Sequence, residues 1–195
     1  MSLILASGSP RRRELLAMIG IGDFIVLPPE GGEQIPHGLP PAQTVCEIAY
    51  QKAKNVSKKC DICDTIIAAD TLVYLDGRPL GKPCGPDDAA SMLRELSGRR
   101  HTVYTGVAVI KDGMHMTEAE TTDVFFRYIS DTEIAEYINT GEPVDKAGAY
   151  GAQGRGAVFI ERIEGDFFNV MGLPLCRLYK MLTRSADRKG IGNRE

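Results

Sequence analysis

Residues 65–75 have the sequence TIIAADTLVYL, an almost entirely apolar run with one charged side chain, Asp70. A short apolar run rich in β-branched residues predicts a strand that is buried in a sheet. An ionised carboxylate in such a strand needs a cation, a metal ion or several hydrogen bonds. Asp70 is therefore either a metal ligand or general base, or an Asp that caps backbone amides at a bulge.

Outward from this strand, helix-like and strand-like patterns alternate along the chain. We predict further strands at 2–6, 24–27, 101–110, 114–128 and 157–163, and helices at 10–20, 42–57, 86–97, 131–139 and 174–182. Asp112-Gly113, which separates two β-rich runs, is a strong signal for a hairpin. This order predicts an α/β fold with a mixed central sheet and flanking helices.

The composition is that of a globular protein. Its 195 residues suit one domain or two small lobes, and 43% hydrophobic with 25% charged residues excludes a disordered chain, a collagen-like fibre or a coiled coil. The formal net charge of −3 argues against general binding of nucleic acid, which needs a surplus of Lys and Arg. Any anion site must therefore be local.

The sequence shows no apolar run long enough for a membrane span, and the apolar stretch at 3–6 is too short for a signal peptide. Five cysteines form an odd and sparse set, which argues for free thiols in a reducing compartment. We therefore expect a cytoplasmic protein with no membrane partner.

The start of the first helix carries an unusual charge pattern. Ser9 suits the N-cap and Pro10 the first helical position, and three arginines follow at 11–13. Cations are unfavourable at this end of the helix dipole, so an anion among them is expected. Free backbone N–H groups and guanidinium forks would bind phosphate, whereas the alternative is a solvated basic patch.

Several charged residues are candidate partners for Asp70. Lys82 follows a turn, Lys52 lies beside the apolar stripe of its helix, and Glu30 and Glu33 lie in the Pro- and Gly-rich loop at 28–41. Carboxylates combined with lysines and arginines fit metal-assisted phosphoryl or nucleotidyl chemistry.

The glycine-rich stretch 148–156 leaves two interpretations open. Its glycines indicate either backbone close to a ligand or a plain tight loop, and Gln153 within it could recognise a base edge. The stretch is not a dinucleotide-binding fingerprint, and neither a Walker motif nor a G-x-S-x-G motif occurs. The single C-x-x-C at 60–63 lacks the two further ligands that zinc requires.

Six motifs occur in an order that resembles the Maf family of nucleoside triphosphate pyrophosphatases. The similarity extends over about residues 3–182, and the motifs are ASGSPRR at 6–12, ADT at 69–71, GKP at 81–83, GEP at 141–143, DKAGAYGAQG at 145–154 and NVMGLP at 169–174. The resemblance implies two lobes around a cleft and a fold related to inosine triphosphate pyrophosphatases. It also implies one domain over 1–183, followed by a polar, frayed tail at 184–195.

The implied activity is metal-dependent hydrolysis of a nucleoside triphosphate to the monophosphate and pyrophosphate. By motif, Asp70 would be the catalytic carboxylate, and Glu33 and Asp70 would hold Mg²⁺ or Mn²⁺. The residues that would bind the triphosphate are Ser9, Arg11, Arg12, Lys52 and Lys82. The family also links this activity to removal of modified nucleotides and to arrest of cell division, and a homodimer is typical of it.

Two positions indicate the branch of the family. Thr71 after Asp70, together with Gln153, resembles the branch that acts on dTTP and UTP, whereas the 7-methyl-GTP branch typically has Gln and Glu there. Arg11, Thr71 and Gln153 are thus the expected specificity residues. Two rival functions remain: a nucleotidyltransferase, and a nucleotide-binding regulator of cell division without turnover.

Overall fold

The structure is a computed structural model, and it describes residues 1–31, 36 and 38–187. Strands are β1 (Leu3–Leu5), β2 (Ile25–Val26), β3 (Thr65–Leu75), β4 (Arg78–Leu80), β5 (Arg100–Lys111), β6 (Met114–Phe126) and β7 (Ile160–Glu164). Helices are α1 (Pro10–Met18), α2 (Pro41–Ser57), α3 (Pro86–Leu96), α4 (Asp131–Ile138), α5 (Phe167–Met171) and α6 (Leu175–Asp187). Short 3-10 helices lie at Glu142–Asp145, Ala147–Ala149 and Arg155–Phe159.

The strands form one mixed sheet, which confirms the predicted α/β class. The order of hydrogen-bonded neighbours is β2-β1-β3-β5-β6-β7, with β4 paired to β3. β1 runs parallel to both β2 and β3, while β4 is antiparallel to β3 and β7 to β6. The predicted hairpin joins β5 to β6, and positive φ angles of 52° at Asp112 and 75° at Gly113 match a two-residue primed turn.

The predictions miss two short elements, β4 and α5, and several predicted ends differ from the observed ones. The short strand β4 was not predicted, because three residues beside a turn carry too little pattern. Residues 157–159 belong to a 3-10 helix and not to the predicted strand, since β7 begins at Ile160. α6 continues to Asp187, beyond the predicted helix end at 182, and of the predicted tail only 188–195 lie outside the described residues.

The chain divides into two compact units. The first comprises the described residues of Met1–Asp70, Thr105–Glu120 and Gly172–Glu195, and the second comprises Thr71–Tyr104 and Thr121–Met171. Each unit has its own apolar core. The first is built from β1, α2, β3 and β5 around Ile4, Ala53 and Ile66, and the second contains Leu93 and Phe126. No helix in the described part of the chain is long and apolar enough to cross a membrane.

At Gly106 on β5, the main chain of α2 lies very close to the sheet in the first unit. A Cβ at this position would lie 2.2 Å from the Val45 carbonyl oxygen and 2.6 Å from the Cys46 nitrogen. These are backbone atoms of α2, so no side-chain adjustment can make room. Only glycine therefore lets this helix, which also carries Lys52, pack at that distance.

His101 is a buried histidine in the core of the second unit. Its Nε2 lies 2.8 Å from the Tyr150 hydroxyl, and its ring meets the edge of Phe126. Burial lowers the pKa of His101 from 6.5 to about 4, against an opposing effect of Asp123. Because the unfolded chain binds this proton more readily, the stabilisation is complete above pH 6.5 and is lost as the pH falls towards 4.

We expect His101 to contribute to a loss of roughly 3 kcal/mol in unfolding free energy between pH 6.5 and 4. The variant His101→Gln keeps a polar partner for Tyr150 but does not titrate, so its stability should depend less on pH in this window. Denaturant unfolding at a series of pH values measures the difference, with His115→Gln at an exposed histidine as control. An unchanged pH dependence in His101→Gln would show that the buried ring is not responsible.

Candidate functional site

Asp70 lies on β3 in the first unit and makes an ion pair with Lys52 of α2. The Lys52 Nζ is 2.6 Å from Asp70 Oδ1, and the exposed fractions of the two side chains are only 11% and 6%. Among the described residues, Asp70 Oδ2 has no hydrogen-bond partner, although it is buried. The structure therefore brings together two of the predicted site residues and leaves one carboxylate oxygen available.

The parallel pairing of β1 with β3 places Asp70 of β3 just beyond the carboxyl end of β1. Leu5 is in register with Ile67, and the Ala6 nitrogen donates to the Ile67 carbonyl at 2.7 Å. β1 ends at that point, while β3 continues through Asp70. In open α/β sheets the carboxyl ends of parallel strands are the usual position for ligands.

The loop after β1 leads into the N-terminus of α1. Ser9 is the N-cap and Pro10 the first helical residue, as predicted, but the Ser9 side chain makes no capping hydrogen bond. No acidic side chain occupies the first turn. The first turn thus supplies no carboxylate of its own to the positive end of this helix, which fits the predicted anion site.

Arg12 is held by main-chain and side-chain acceptors of the first unit. Its Nε donates to the Gly172 carbonyl at 2.8 Å, and its Nη1 donates to Ser7 Oγ at 3.2 Å. Ser7 Oγ also accepts from the Ser9 nitrogen at 3.2 Å. Arg12 thus ties α1 to the segment before α6 and shapes the loop that precedes the helix. Arg11 is half-buried in the same turn.

The carboxylates that the sequence suggests as metal ligands differ in their surroundings. Glu33 lies outside the described residues. Glu30 Oε1 lies 2.5 Å from Lys59 Nζ on the surface, and this hydrogen bond lowers the pKa of Glu30. The described ranges contain no group of three His, Cys, Asp or Glu side chains suited to a metal. Asp70 Oδ2 nevertheless fits Mg²⁺ or Mn²⁺, since Mg²⁺ sites use one or two carboxylates plus substrate phosphates.

In the second unit, the turn that carries Lys82 is fixed to the glycine-rich segment. The Gly148 nitrogen donates to the Gly81 carbonyl at 3.0 Å, and a Cβ on Gly148 would lie 3.1 Å from the Val73 side chain. Lys82 and Gln153 are both exposed, and Thr71 on β3 is half-buried. Two of the family motifs are thereby joined through main-chain atoms.

The glycine-rich segment packs around the carboxylate of Glu142. Its carboxylate accepts hydrogen bonds from the Tyr137 hydroxyl at 2.9 Å, the Arg155 nitrogen at 2.8 Å and the Gly156 nitrogen at 3.2 Å. A Cβ on Gly154 would lie 2.3 Å from Glu142 Oε1. Close packing around Glu142 therefore accounts for Gly154, and Gln153 is exposed on this tightly packed loop.

Sequence reasoning missed four residues that shape these segments: Ser7, Gly106, Tyr137 and Glu142. A lone glycine in a β-branched strand is a signal for close backbone approach, so Gly106 could have been found. Glu142 and Ser7 lie within the motifs quoted above. Their acceptor roles depend on contacts that no local pattern encodes.

Comparison with known proteins gives the family. The family model of Maf-like proteins matches residues 2–185. A dTTP/UTP pyrophosphatase from Thermoanaerobacter sp. (strain X514) is 44% identical over 189 residues, which cover 96% of this chain and 98% of that protein. A dTTP/UTP pyrophosphatase from Moorella thermoacetica is 50% identical over 183 residues, or 92% of this chain and 93% of that protein.

Among solved structures, a HAM1 protein from Coxiella burnetii has a TM-score of 0.47 and 16% identity over 65% of this chain and 73% of that one. The family model covers nearly the whole chain, and the two relatives are similar along almost their full length. As its motifs predict, the chain belongs to the Maf-like protein family.

Proposed function

We propose that this protein hydrolyses nucleoside triphosphates, with dTTP and UTP favoured, to the nucleoside monophosphate and pyrophosphate. The observation that carries the proposal is the buried Asp70–Lys52 pair with its unpartnered Oδ2. A protein that only binds nucleotides has no need for a buried carboxylate oxygen without a partner. The two relatives described above carry the same activity in their names.

Asp70 acts on the attacking water. Lys52 holds Oδ1 at 2.6 Å, which fixes the orientation of the carboxylate. Oδ2 accepts a hydrogen bond from a water molecule and takes its proton as the oxygen attacks the α-phosphorus. The new bond joins this oxygen to the α-phosphorus, and the bond that breaks connects the α-phosphorus to the bridging oxygen of pyrophosphate.

The phosphate-binding groups neutralise the charge of the triphosphate. In the first unit, the N-terminus of α1 offers Ser9 and the positive end of the helix dipole, with Arg11 in the first turn. Arg12 orients that loop through Ser7 and Gly172, and we assign it a phosphate contact as well, following the family motif. Lys52 and Lys82 complete the proposed cationic set.

Asp70 and Glu33 are the proposed ligands of a divalent cation, Mg²⁺ or Mn²⁺. When bound, such an ion neutralises phosphate charge and polarises the reacting phosphoryl group. An ionised carboxylate offers about four acceptor positions, so Asp70 can serve both a cation and a water molecule.

The choice of base is assigned to Arg11, Thr71 and Gln153. Gln153 carries a paired donor and acceptor that suits the edge of a pyrimidine, and its side chain is exposed on a well-held loop. We further keep four predictions from the sequence: a cytoplasmic location, a homodimer, no nucleic-acid partner, and a link to modified nucleotides and cell division.

Release of pyrophosphate from canonical and methylated triphosphates tests the proposed function. We expect dTTP and UTP to be the best substrates, and activity to be lost when a chelator removes the metal. In water labelled with heavy oxygen, the label should appear in the monophosphate, because water attacks the α-phosphorus. Label in the pyrophosphate would place the attack at the β-phosphorus and contradict the mechanism.

The same panel separates the rival functions. Turnover mainly of 7-methyl-GTP would keep the chemistry and overturn the assigned branch. Nucleotide-sugar formation that requires an added sugar phosphate would identify a nucleotidyltransferase. Nucleotide binding without any product would identify a regulator.

A further inference from the structure

Gln153 lies in a loop whose two ends are held by one pair of side chains. On the N-terminal side, the Gly151 nitrogen donates to the Tyr137 hydroxyl at 3.1 Å. On the C-terminal side, the nitrogens of Arg155 and Gly156 donate to the Glu142 carboxylate at 2.8 and 3.2 Å. The Tyr137 hydroxyl in turn donates to Glu142 Oε1 at 2.9 Å, which closes the connection across the loop.

Glu142 and Tyr137, which together form the anchor of this loop, are themselves held by neighbouring residues. Tyr137 is buried in the core of the second unit and meets the ring of Phe159 edge to face. Lys146 Nζ donates to the Glu142 carbonyl at 2.7 Å, which restrains the main chain that carries the carboxylate. Partial burial raises the pKa of Glu142, but the hydrogen bonds from Arg155, Gly156 and Tyr137 outweigh it, and the pKa lies below its ordinary value.

The loop packs tightly against the Glu142 and Tyr137 side chains. A Cβ on Gly154 would lie within 2.5 Å of three carboxylate atoms of Glu142, and one on Gly156 would lie 2.8 Å from the Tyr137 hydroxyl. The main chain that follows Gln153 therefore packs directly against Glu142 and Tyr137.

A fixed main chain matters for recognition because the end of a glutamine side chain is ambiguous. Its amide presents an oxygen or an NH₂ group to the same point after a half turn, so a mobile glutamine can satisfy either uracil or cytosine. This rotation needs no movement of the main chain, so what the main chain sets is the position from which the Gln153 amide reaches the base. Selectivity is retained only while that position lets the amide contact the edge at which uracil and cytosine differ.

We propose that Glu142, through Tyr137 and the main chain of residues 151–156, is a positioning residue that sets pyrimidine selectivity by holding Gln153. This inference rests on the proposed function for the identity of the ligand. Glu142 itself makes no contact with the base. Its effect should therefore appear in the ratio between substrates and not in the chemical step.

The test compares Glu142→Gln with the wild type. The variant places an NH₂ group where the loop offers N–H donors, so at least one hydrogen bond is lost. We expect the preference for UTP over CTP, measured as the ratio of kcat/KM values, to fall about fivefold to tenfold, the equivalent of one hydrogen bond. KM for UTP should rise, while kcat at saturating UTP should stay within about twofold because the chemical groups are unchanged.

A double-mutant cycle separates positioning from a general structural role. Gln153→Ala alone should abolish the preference, and adding Glu142→Gln to it should change the ratio no further. Tyr137→Phe, which removes only the hydroxyl, should repeat part of the effect and replaces Glu142→Gln if that variant does not fold. Melting temperatures of all variants show which of them are folded.

The outcomes separate this inference from the proposed function. An unchanged ratio in folded Glu142→Gln, with a changed ratio in Gln153→Ala, overturns the positioning role alone. An unchanged ratio in both overturns the role of Gln153 and the inference with it. If the wild type releases no pyrophosphate from any triphosphate, the proposed function fails, and dissociation constants for non-hydrolysable UTP and CTP analogues then decide whether Glu142 controls selectivity.

Discussion

Replacing Asp70 by Asn is expected to lower kcat for pyrophosphate release from dTTP by about 1,000-fold or more, which combines the loss of the base with the loss of its charge. The carboxamide has almost the same shape, but it cannot take a proton from water. It also removes the negative charge that faces the Lys52 ammonium, which now lies 2.6 Å from Oδ1.

The fold should survive this change because the carboxamide fills the same volume, although removing one partner of a buried ion pair should lower the unfolding free energy by about 3–5 kcal/mol. Steady-state kinetics and a melting curve measure the two effects on the same preparation. Asp64→Asn is the matched control, since Asp64 immediately precedes the same strand and accepts main-chain hydrogen bonds from Ser2 and Asp61. Folded Asp70→Asn with more than a tenth of the wild-type rate would remove Asp70 from the chemical step.

The change Gly106→Ala should reduce the unfolding free energy by about 3 kcal/mol or more. The new methyl group would lie 2.2 Å from the Val45 carbonyl oxygen, so α2 must move away from β5. For a chain of this size the melting temperature should fall by about 10 °C. Because α2 also carries Lys52, activity at temperatures well below melting should drop as the lysine is displaced from Asp70.

Gly22→Ala is the control for this variant. No heavy atom lies within 4 Å of a Cβ built on Gly22, so the same substitution should change the unfolding free energy by less than about 0.5 kcal/mol. Thermal unfolding and chemical denaturation of both variants provide the comparison. If Gly106→Ala melts within two or three degrees of the wild type, the close contact between α2 and β5 is not tight in solution.

The sheet and its buried carboxylate could be predicted because their signals are local. The strand around Asp70 is identified by eleven nearly apolar residues, and the hairpin by Asp112-Gly113. The cap at Ser9 and the arginines after Pro10 likewise depend on neighbours within one helical turn. Family membership also comes from short motifs, since each is a contiguous run of residues.

Only the tertiary structure shows which charged residue pairs with Asp70. The sequence offered Lys52, Lys82, Glu30 and Glu33 as partners of Asp70 on equal terms, and the packing of α2 against the sheet brings Lys52 to it. Glu30 pairs with Lys59 on the surface. These outcomes depend on where two distant segments meet, which charge and periodicity do not encode.

Amino-acid order alone determined the fold class, the buried strand with Asp70, the charged start of α1 and the family, because each follows from side-chain type at close spacing. Tertiary structure alone decided that Arg12 donates to Gly172, that Gly106 touches α2, and that Glu142 with Tyr137 holds the loop around Gln153. Each of these contacts joins segments whose separation in space is set by packing of whole elements, so a glycine or a carboxylate acquires its role only when the chain is folded.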